Sequence, residues 1–505
     1  MKKFISKFQG CQPEVLSCFD RVLFKGHLPI SHAEGMEQFL SSKGVLLKEF
    51  KRFVSKQAFC LKKFGLDLAL RNGRPYIVLN GFSVRKEERA REIACKDKIK
   101  EGVVCVFSNV EGCNSFRIKY GEGGPYLKNA RRKCLCLYFY IMDSVFGLIH
   151  IRIQTWFPFT VQICMNGHEY LERQLCNAKI GYTKEGNCFT EIEDFKKAQE
   201  LSDDFHSLCW PEILSGLAEK VNPLLKGLLS GMKYYWVTEQ AEYATDVVFG
   251  NLDDFEGLYE KFLNYAIQRF GSKDILTFLD KCCDGRFKGD QFNICRRRMP
   301  GARVRHWVKH NWIKMYNKKG RVVRIETVIN HPYDFKIRRN GIRKGEKVYD
   351  WFPMSKWVNN LHRYAEISRT ANGRYLDGLA AQEDSGPSTE DMKNLSASVE
   401  ENGRRYGAFN PAKEDDVLLM AEIMRAEYLI RGFRNADIRE VLFGKASNKK
   451  QRQRQATKVS RMFKKLHVRK MIAKIPHSHR WRVTDKGSRI MGTVLDWYNP
   501  LGKVA

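Results

Sequence analysis

The sequence predicts an α/β (α+β) chain with an N-terminal body on a mixed or antiparallel sheet, a helical middle and a basic, helical C-terminal domain. Three observations predict it. Between Cys134 and Met165 apolar and polar residues alternate with the period of strands that have one buried face. From Trp236 to Phe270, and again from Asp415 to Met471, the apolar period lengthens to that of helices. Between these stretches lies Gln382 to Lys413, which is acidic, Ser-rich and poor in bulky apolar side chains. The expected divisions are therefore an α/β body with a three-stranded meander (1–190), a helical region carrying a basic β-hairpin (191–380), an acidic linker (381–413) and a C-terminal domain (414–505).

Element by element, Cys18 to Phe24 reads as a strand and Ala33 to Lys43 as a helix. Tyr76 to Leu79 is a short strand, Lys86 to Lys100 a charged helix and Val103 to Phe107 another strand. The meander is Cys134–Met142, Leu148–Thr155 and Phe159–Met165, followed by a helix over Glu169–Ala178. Trp236–Phe249 and Phe255–Phe270 have helical periods. Val304–Tyr316 and Arg321–Asn330 form a hairpin about Asn317-Lys318-Lys319-Gly320, where Gly320 supplies the positive φ of a tight turn. A helix near Met354–Asn372 closes this region.

Charge points to the partner. The 505 residues carry 88 Lys and Arg against 57 Asp and Glu, a formal net charge of +31, which a polyanion would neutralise. With 43% hydrophobic residues the chain can bury a core, which excludes a disordered basic tail. The charge is also clustered: nineteen cations against four anions from Arg286 to Lys347, and fifteen against one from Ala446 to Arg489. Two separate basic blocks suggest two contact surfaces. The opening Met1-Lys2-Lys3-Phe4-Ile5-Ser6-Lys7 meets charge before an apolar run develops, and Asp143, His150, Arg152 and Gln154 interrupt the most apolar stretch. A cytoplasmic protein with no membrane partner is expected. The fifteen cysteines lack Cys-x-x-Cys spacing, and Cys134 and Cys136 place two thiols on one strand face, as reduced core residues do.

The tail is the most informative region. Asp415–Leu429 is an amphipathic helix stopped by Gly432, and Asn435 caps a second helix through Leu442. A third helix, about Lys449 to Met471, has Ala456, Val459, Phe463 and Leu466 on one stripe. The opposite face carries Arg454, Thr457, Lys458, Arg461 and Lys465. Strands Ile472–Ile475 and Arg480–Val483 flank Pro476-His477-Ser478-His479, and a last helix starts at Thr484-Asp485. Three helices, a hairpin and a closing helix resemble the winged helix-turn-helix domain, in its MarR-like form. That resemblance implies a third helix in the major groove of DNA and a wing on the backbone. Arg452, Arg454, Thr457, Lys458, Arg461, Lys465, Arg480 and Arg482 would then contact nucleic acid, most directly duplex DNA.

Upstream, His150, Arg152 and Gln154 share one strand face and should meet a polar ligand, with Gln162 beside them. Glu239, Glu242 and Asp246 fall on one face if their segment is helical, and Asp20 interrupts an apolar strand. Such carboxylates could hold Mg²⁺ or Mn²⁺ for phosphodiester cleavage or strand transfer. The run Ile313-Lys314-Met315-Tyr316-Asn317-Lys318-Lys319-Gly320 with Arg324-Ile325-Glu326 resembles a pattern in phage and plasmid replication initiators. It implies that Arg324 and Glu326 line a DNA-processing site, with Tyr316 nearby. Lys314 and Arg324 are accordingly candidate nucleic-acid contacts, and Glu326 joins Asp20, Glu239 and Asp246 as candidate catalytic groups. The chain has Asn317 where that pattern has Asp, and it lacks a His-apolar-His metal motif. Three functions follow as expectations: a DNA-processing protein of a mobile or replicating element, a transcription regulator without enzymatic activity, or an RNA-binding or RNA-guided factor.

Overall fold

The structure, a computed structural model, describes residues 1–79, 85–250, 255–281, 290–297, 302–343, 345–380 and 389–498. The chain is mixed α/β and divides into two compact units. The first comprises Val15–Ala244 and Val328–Ser368; the second comprises Met1–Glu14, Thr245–Thr327 and Arg369–Ala505. Among the described residues no helix is long and apolar enough to cross a membrane.

The first unit is built on strands β1 (Pro13–His27), β2 (Tyr76–Val78), β3 (Gly102–Gly121), β4 (Gly124–Asp143), β5 (Gly147–Gln154), β6 (Val161–Met165) and the start of β7 (Tyr235–Phe249). They lie in the order β7-β1-β6-β5-β4-β3-β2. β3 to β6 pair as an antiparallel meander and β6 pairs antiparallel with β1, while β2 joins β3 in parallel, so the sheet is mixed. Alternation explains β5: Ile149, Ile151 and Ile153 are buried on one face, and His150 and Arg152 stand half-buried on the other. Helices α1 (Ala33–Ser42) and α2 (Phe50–Arg71) touch β4, while α3 (Lys86–Lys96) lies on β3. The helices α4 (Gly167–Ala178) and α6 (Trp210–Val221) pack on β5, with α5 (Phe195–Asp204) beside α4. β3 and β4 run far beyond the predicted Val103–Phe107 and Cys134–Met142. Their added outer halves are polar and largely exposed, so they carry little apolar signal.

One expectation is overturned. Trp236–Phe249, read as helical, is the strand β7. Ten of its residues from Ala241 onward and before Glu239 are apolar or small and buried on both faces, which removes the alternation that marks a half-buried strand.

In the second unit, β8 (Gln291–Arg297), β9 (Ala302–Val308), β10 (Asn311–Lys318), β11 (Val322–Ile329) and the end of β7 follow in the order β8-β9-β10-β11-β7. The single strand expected over Val304–Tyr316 is two, folded back at Lys309-His310, where Lys309 has φ of 55°. Gly320 does take positive φ, 67°, and its N–H donates to Asn317 Oδ1 at 3.0 Å to close the β10–β11 turn. Helices α7 (Phe255–Arg269) and α8 (Ser272–Phe278) follow β7, and α9 (Leu361–Leu379) replaces the helix expected near Met354–Asn372.

The C-terminal stretch holds α10 (Thr389–Ser396), a hairpin of Val399–Glu401 with Arg404–Tyr406, then α11 (Glu414–Ile423), α12 (Ala426–Arg431), α13 (Asn435–Phe443), α14 (Lys449–Val468), the hairpin Ile472–Lys474 with Trp481–Val483, and α15 (Asp485–Tyr498). Of the expected linker, 381–388 lies outside the described residues. The rest is folded: Leu395 and Phe409 are buried in one core with Val459, Phe463, Leu466 and Ile490. The helix expected over Asp415–Leu429 breaks at Arg425, whose ψ is 140°, because Asp274 Oδ1 accepts the Glu427 N–H at 2.7 Å and caps a new helix start. Asn435 is not a cap. It opens α13 and gives its side-chain amide to Ala456 O and Ser460 Oγ, each at 2.9 Å.

Candidate nucleic-acid interface and polar cleft

Helix α14 starts at Asn448, whose side chain accepts the Gln451 N–H at 2.8 Å. Val459, Phe463 and Leu466 bury one stripe and Ala456 is partly covered, as the spacing predicts. Lys449, Lys450, Arg452, Arg454, Thr457, Lys458 and Arg461 are exposed. None of the six cations forms an ion pair among the described residues, and Lys458 stands 4.7 Å over the Phe443 ring. The last turns differ. Lys464 pairs with Glu401 at 3.2 Å, and Lys465 donates to Ala408 O at 2.8 Å while lying 4.2 Å over Phe409. Arg469 donates to Ala397 O and Gly407 O. Lys465, expected on the outer face, is thus held against the 399–409 segment, and burial lowers its pKa. In the hairpin, Arg482 is exposed, but Arg480 donates to Arg431 O and Gly432 O and so braces the fold.

The sheet of the first unit presents a second charged surface. Its register sets Leu23, Cys164, His150 and Tyr140 in one row and Lys25, Gln162, Arg152 and Tyr138 in the next. Arg152 is fully engaged. Its Nε donates to Glu111 Oε2 at 3.1 Å, one terminal nitrogen to Gln162 Oε1 at 3.1 Å, and the other to the Cys113 and Cys136 thiols at 3.2 and 3.0 Å. Glu111 also accepts from Tyr138 Oη at 2.5 Å and from Asn109 at 3.0 Å, with Lys86 Nζ at 3.4 Å. Burial alone would raise the Glu111 carboxyl, but the Tyr138 hydroxyl, Arg152 and Lys86 hold it below the ordinary carboxylate value. Gln154, expected beside His150 and Arg152 against a ligand, is 2% exposed and donates to Asn114 O and Phe157 O. It is a structural tie. The cysteines of this face are free thiols, as their spacing suggests.

At the end of the face, Asn166 caps α4 by accepting from the N–H groups of His168 and Glu169. Gly167 permits the approach: a Cβ there would lie 2.4 Å from Phe19 O on β1. His168 Nδ1 comes within 3.4 Å of Asp20 Oδ1, and Asn187 donates to the same oxygen. Glu169, cationic on both sides through Arg91 at 3.0 Å and Lys184 at 3.3 Å, is held below its ordinary pKa despite burial that would raise it.

The predicted carboxylates are dispersed in role. Asp20 and Glu242, in the first unit, have carboxylate oxygens within 4.8 Å of one another, a hard-oxygen pair of the kind Mg²⁺ or Mn²⁺ takes. Glu239 instead lies between Lys25 and Lys356, at 3.9 and 3.5 Å. Because β7 is a strand, Glu239 and Glu242 point to opposite faces and the helical grouping of three fails. In the second unit, Asp246 forms a buried bidentate pair with Arg324, both contacts 2.6 Å. Arg324 is 0% exposed, so it cannot reach DNA as expected, and its guanidinium occupies the Asp246 oxygens a metal would need. Glu326 is buried as well, with Lys314 Nζ at 2.6 Å and Tyr316 Oη at 2.5 Å, which places Lys314 in a structural pair.

Sequence reasoning missed Arg21, Glu111, Tyr138 and Tyr140, which sit on three separate strands, β1, β3 and β4, with no local motif. Arg21 on the face opposite Val22 was the one available signal. Comparison with known proteins finds no counterpart: no family model, no curated protein and no solved structure matches the chain.

Proposed function

We propose that the chain binds nucleic acid, with duplex DNA as the ligand, through a C-terminal winged helix whose reading element is the first half of α14. The observation that carries this is the set of six exposed cations from Lys449 to Arg461 with no ion-pair partner among the described residues. Basic side chains at a helix N-terminus face the positive end of the backbone dipole, an unfavourable arrangement unless an anion is bound there. The first turn of α14 contains no acidic residue. The order of helices and hairpin, and the exposed His477, His479 and Arg482 of the second hairpin, suit a wing on the phosphate backbone. Fluorescence anisotropy of the full chain with labelled duplex DNA, single-stranded DNA and duplex RNA tests the reading. Duplex DNA should bind tightest, and a clear preference for RNA would refute it in favour of an RNA-binding protein.

A second reading, phosphodiester cleavage by the first unit, is favoured by the Asp20–Glu242 pair. A divalent cation there would supply Lewis-acid chemistry, and the two carboxylates would hold it. Cleavage of a duplex with Mn²⁺ should be lost in Asp20→Asn and Glu242→Gln. Activity that survives both changes rejects this assignment.

A further inference from the structure

Four side chains of the polar cleft in the first unit keep hydrogen-bonding capacity that no described residue takes up. Arg21 donates its Nε to Cys164 Sγ at 3.3 Å, and its two terminal nitrogens have no hydrogen-bond partner among the described residues, although Glu242 and Glu87 act on the guanidinium through space. Tyr140 is 2% exposed, yet its hydroxyl has no hydrogen-bond partner among the described residues. Gln162 accepts from Arg152 at Oε1, and its two amide N–H groups have no acceptor among the described residues. His150, its ring centroid 5.2 Å from that of Tyr140, bonds through neither nitrogen among the described residues. Arg21, Tyr140 and His150 line both an inner cavity of about 150 Å³ and a wider cleft of about 650 Å³, and Gln162 lines the cleft.

Of the neighbouring carboxylates, Asp20 and Glu87 line the inner cavity and Glu242 acts on Arg21, and three of this group's neighbours already accept donors of their own. Glu87 accepts from Arg91 at 3.0 and 3.3 Å, Asp20 from Asn187, and Glu111 from Arg152 and Tyr138. Burial and the cations Arg21, Lys86 and Arg152 push the His150 pKa down to about 3, so the ring is neutral and either nitrogen can donate. Lys86 Nζ stands at the rim, 4.4 Å over the Tyr138 ring. The unsatisfied groups are therefore mostly donors, and they converge from β1, β4, β5 and β6. A planar carboxylate offers two oxygens in one plane. A phosphoryl group offers three or four in a tetrahedron and suits donors arriving from several strands, with the guanidinium fork taking two of them.

We propose that Arg21, Tyr140 and His150 form a phosphoryl-binding site in the inner cavity, and that the cleft, where Gln162 offers its amide, takes the rest of a nucleotide or nucleic-acid strand. The site stands apart from the α14 reading and survives its failure.

Inorganic phosphate titrated into the full chain, followed by calorimetry and by the imidazole resonances of His150, tests the assignment. Phosphate should bind and shift those resonances. Arg21→Gln should weaken binding about tenfold or more, as loss of a charge-assisted pair does, and Tyr140→Phe by a smaller factor. A chain with the α14 cations neutralised should bind phosphate as the wild type does. Tighter binding of a 5′-mononucleotide than of phosphate supports the site with a nucleotide as its source, and still tighter binding of a single-stranded oligonucleotide supports it with a strand. No phosphate binding by the wild type, or undiminished binding by both Arg21→Gln and Tyr140→Phe, overturns it.

Discussion

Replacing Arg452, Arg454, Lys458 and Arg461 together by glutamine removes four exposed cations from α14 and leaves the buried Val459–Phe463–Leu466 stripe intact. Glutamine has nearly the helix propensity of lysine and arginine, so the helix should persist. If each cation neutralises one phosphate, the slope of log K against log salt for duplex DNA should become shallower by about 3.6, four times about 0.9 per contact. Over a tenfold range of salt that is about three to four decades of affinity, with the deficit largest at low salt. The comparison that gives the measurement its force is Lys464→Gln with Lys465→Gln, on the same helix. Those amines are held by Glu401, Ala408 O and Phe409, so the slope should barely change. Anisotropy titrations from 50 mM to 500 mM salt, with far-UV circular dichroism as the folding control, read both variants. An unaltered slope in the fourfold variant, or an equal reduction in the Lys464/Lys465 pair, would refute the reasoning.

Three further outcomes follow from buried groups. Arg324→Met removes the guanidinium that holds both oxygens of the buried Asp246 and should cost about 3–5 kcal/mol by urea denaturation; a loss below about 1 kcal/mol would mean the pair is not buried as described. Gly167→Ala drives a methyl group against Phe19 O and should cost about 1–3 kcal/mol, seen as a lower melting temperature. His306 lies fully buried between Asn293 Oδ1 and Tyr375 Oη, and burial pushes its pKa down to about 3. As pH falls below about 6.5 the unfolded chain takes up this proton and the folded chain does not, so stability is lost down to about pH 3. His306→Gln should therefore lose about 2–3 kcal/mol less than the wild type between pH 7 and pH 4.5, and parallel losses would contradict the assignment.

Local pattern made much of the fold readable. β5, β6, α4, α13, α14 and the second tail hairpin fall within a few residues of their predicted places, because each carries its own apolar period, while β4 starts ten residues before its predicted Cys134. β7 was misread because burial on both faces erases alternation, and the grouping of Glu239, Glu242 and Asp246 fell with it. The break at Arg425 depends on Asp274, about 150 residues away, and no local rule anticipates a cap of that kind. The same holds for the cleft. His150, Arg152 and Gln162 were legible as a polar strand face, but their partners Glu111, Tyr138 and Arg21 arrive only through sheet register. Arg324 and Glu326 look like members of an exposed basic hairpin in sequence, and only strand pairing turns them inward.

The segment from Thr389 to Phe409 bears on where the C-terminal region can be cut. Phe409 fills a socket beneath Lys465 and Arg469, and the carbonyls of Ala397, Gly407 and Ala408 take donors from α14. A fragment starting at Glu414 would strip that socket, leaving apolar surface bare and Arg469 with Lys465 O but without its acceptors at Ala397 and Gly407. One starting at Thr389, the longer of the two, would retain both the socket and those acceptors.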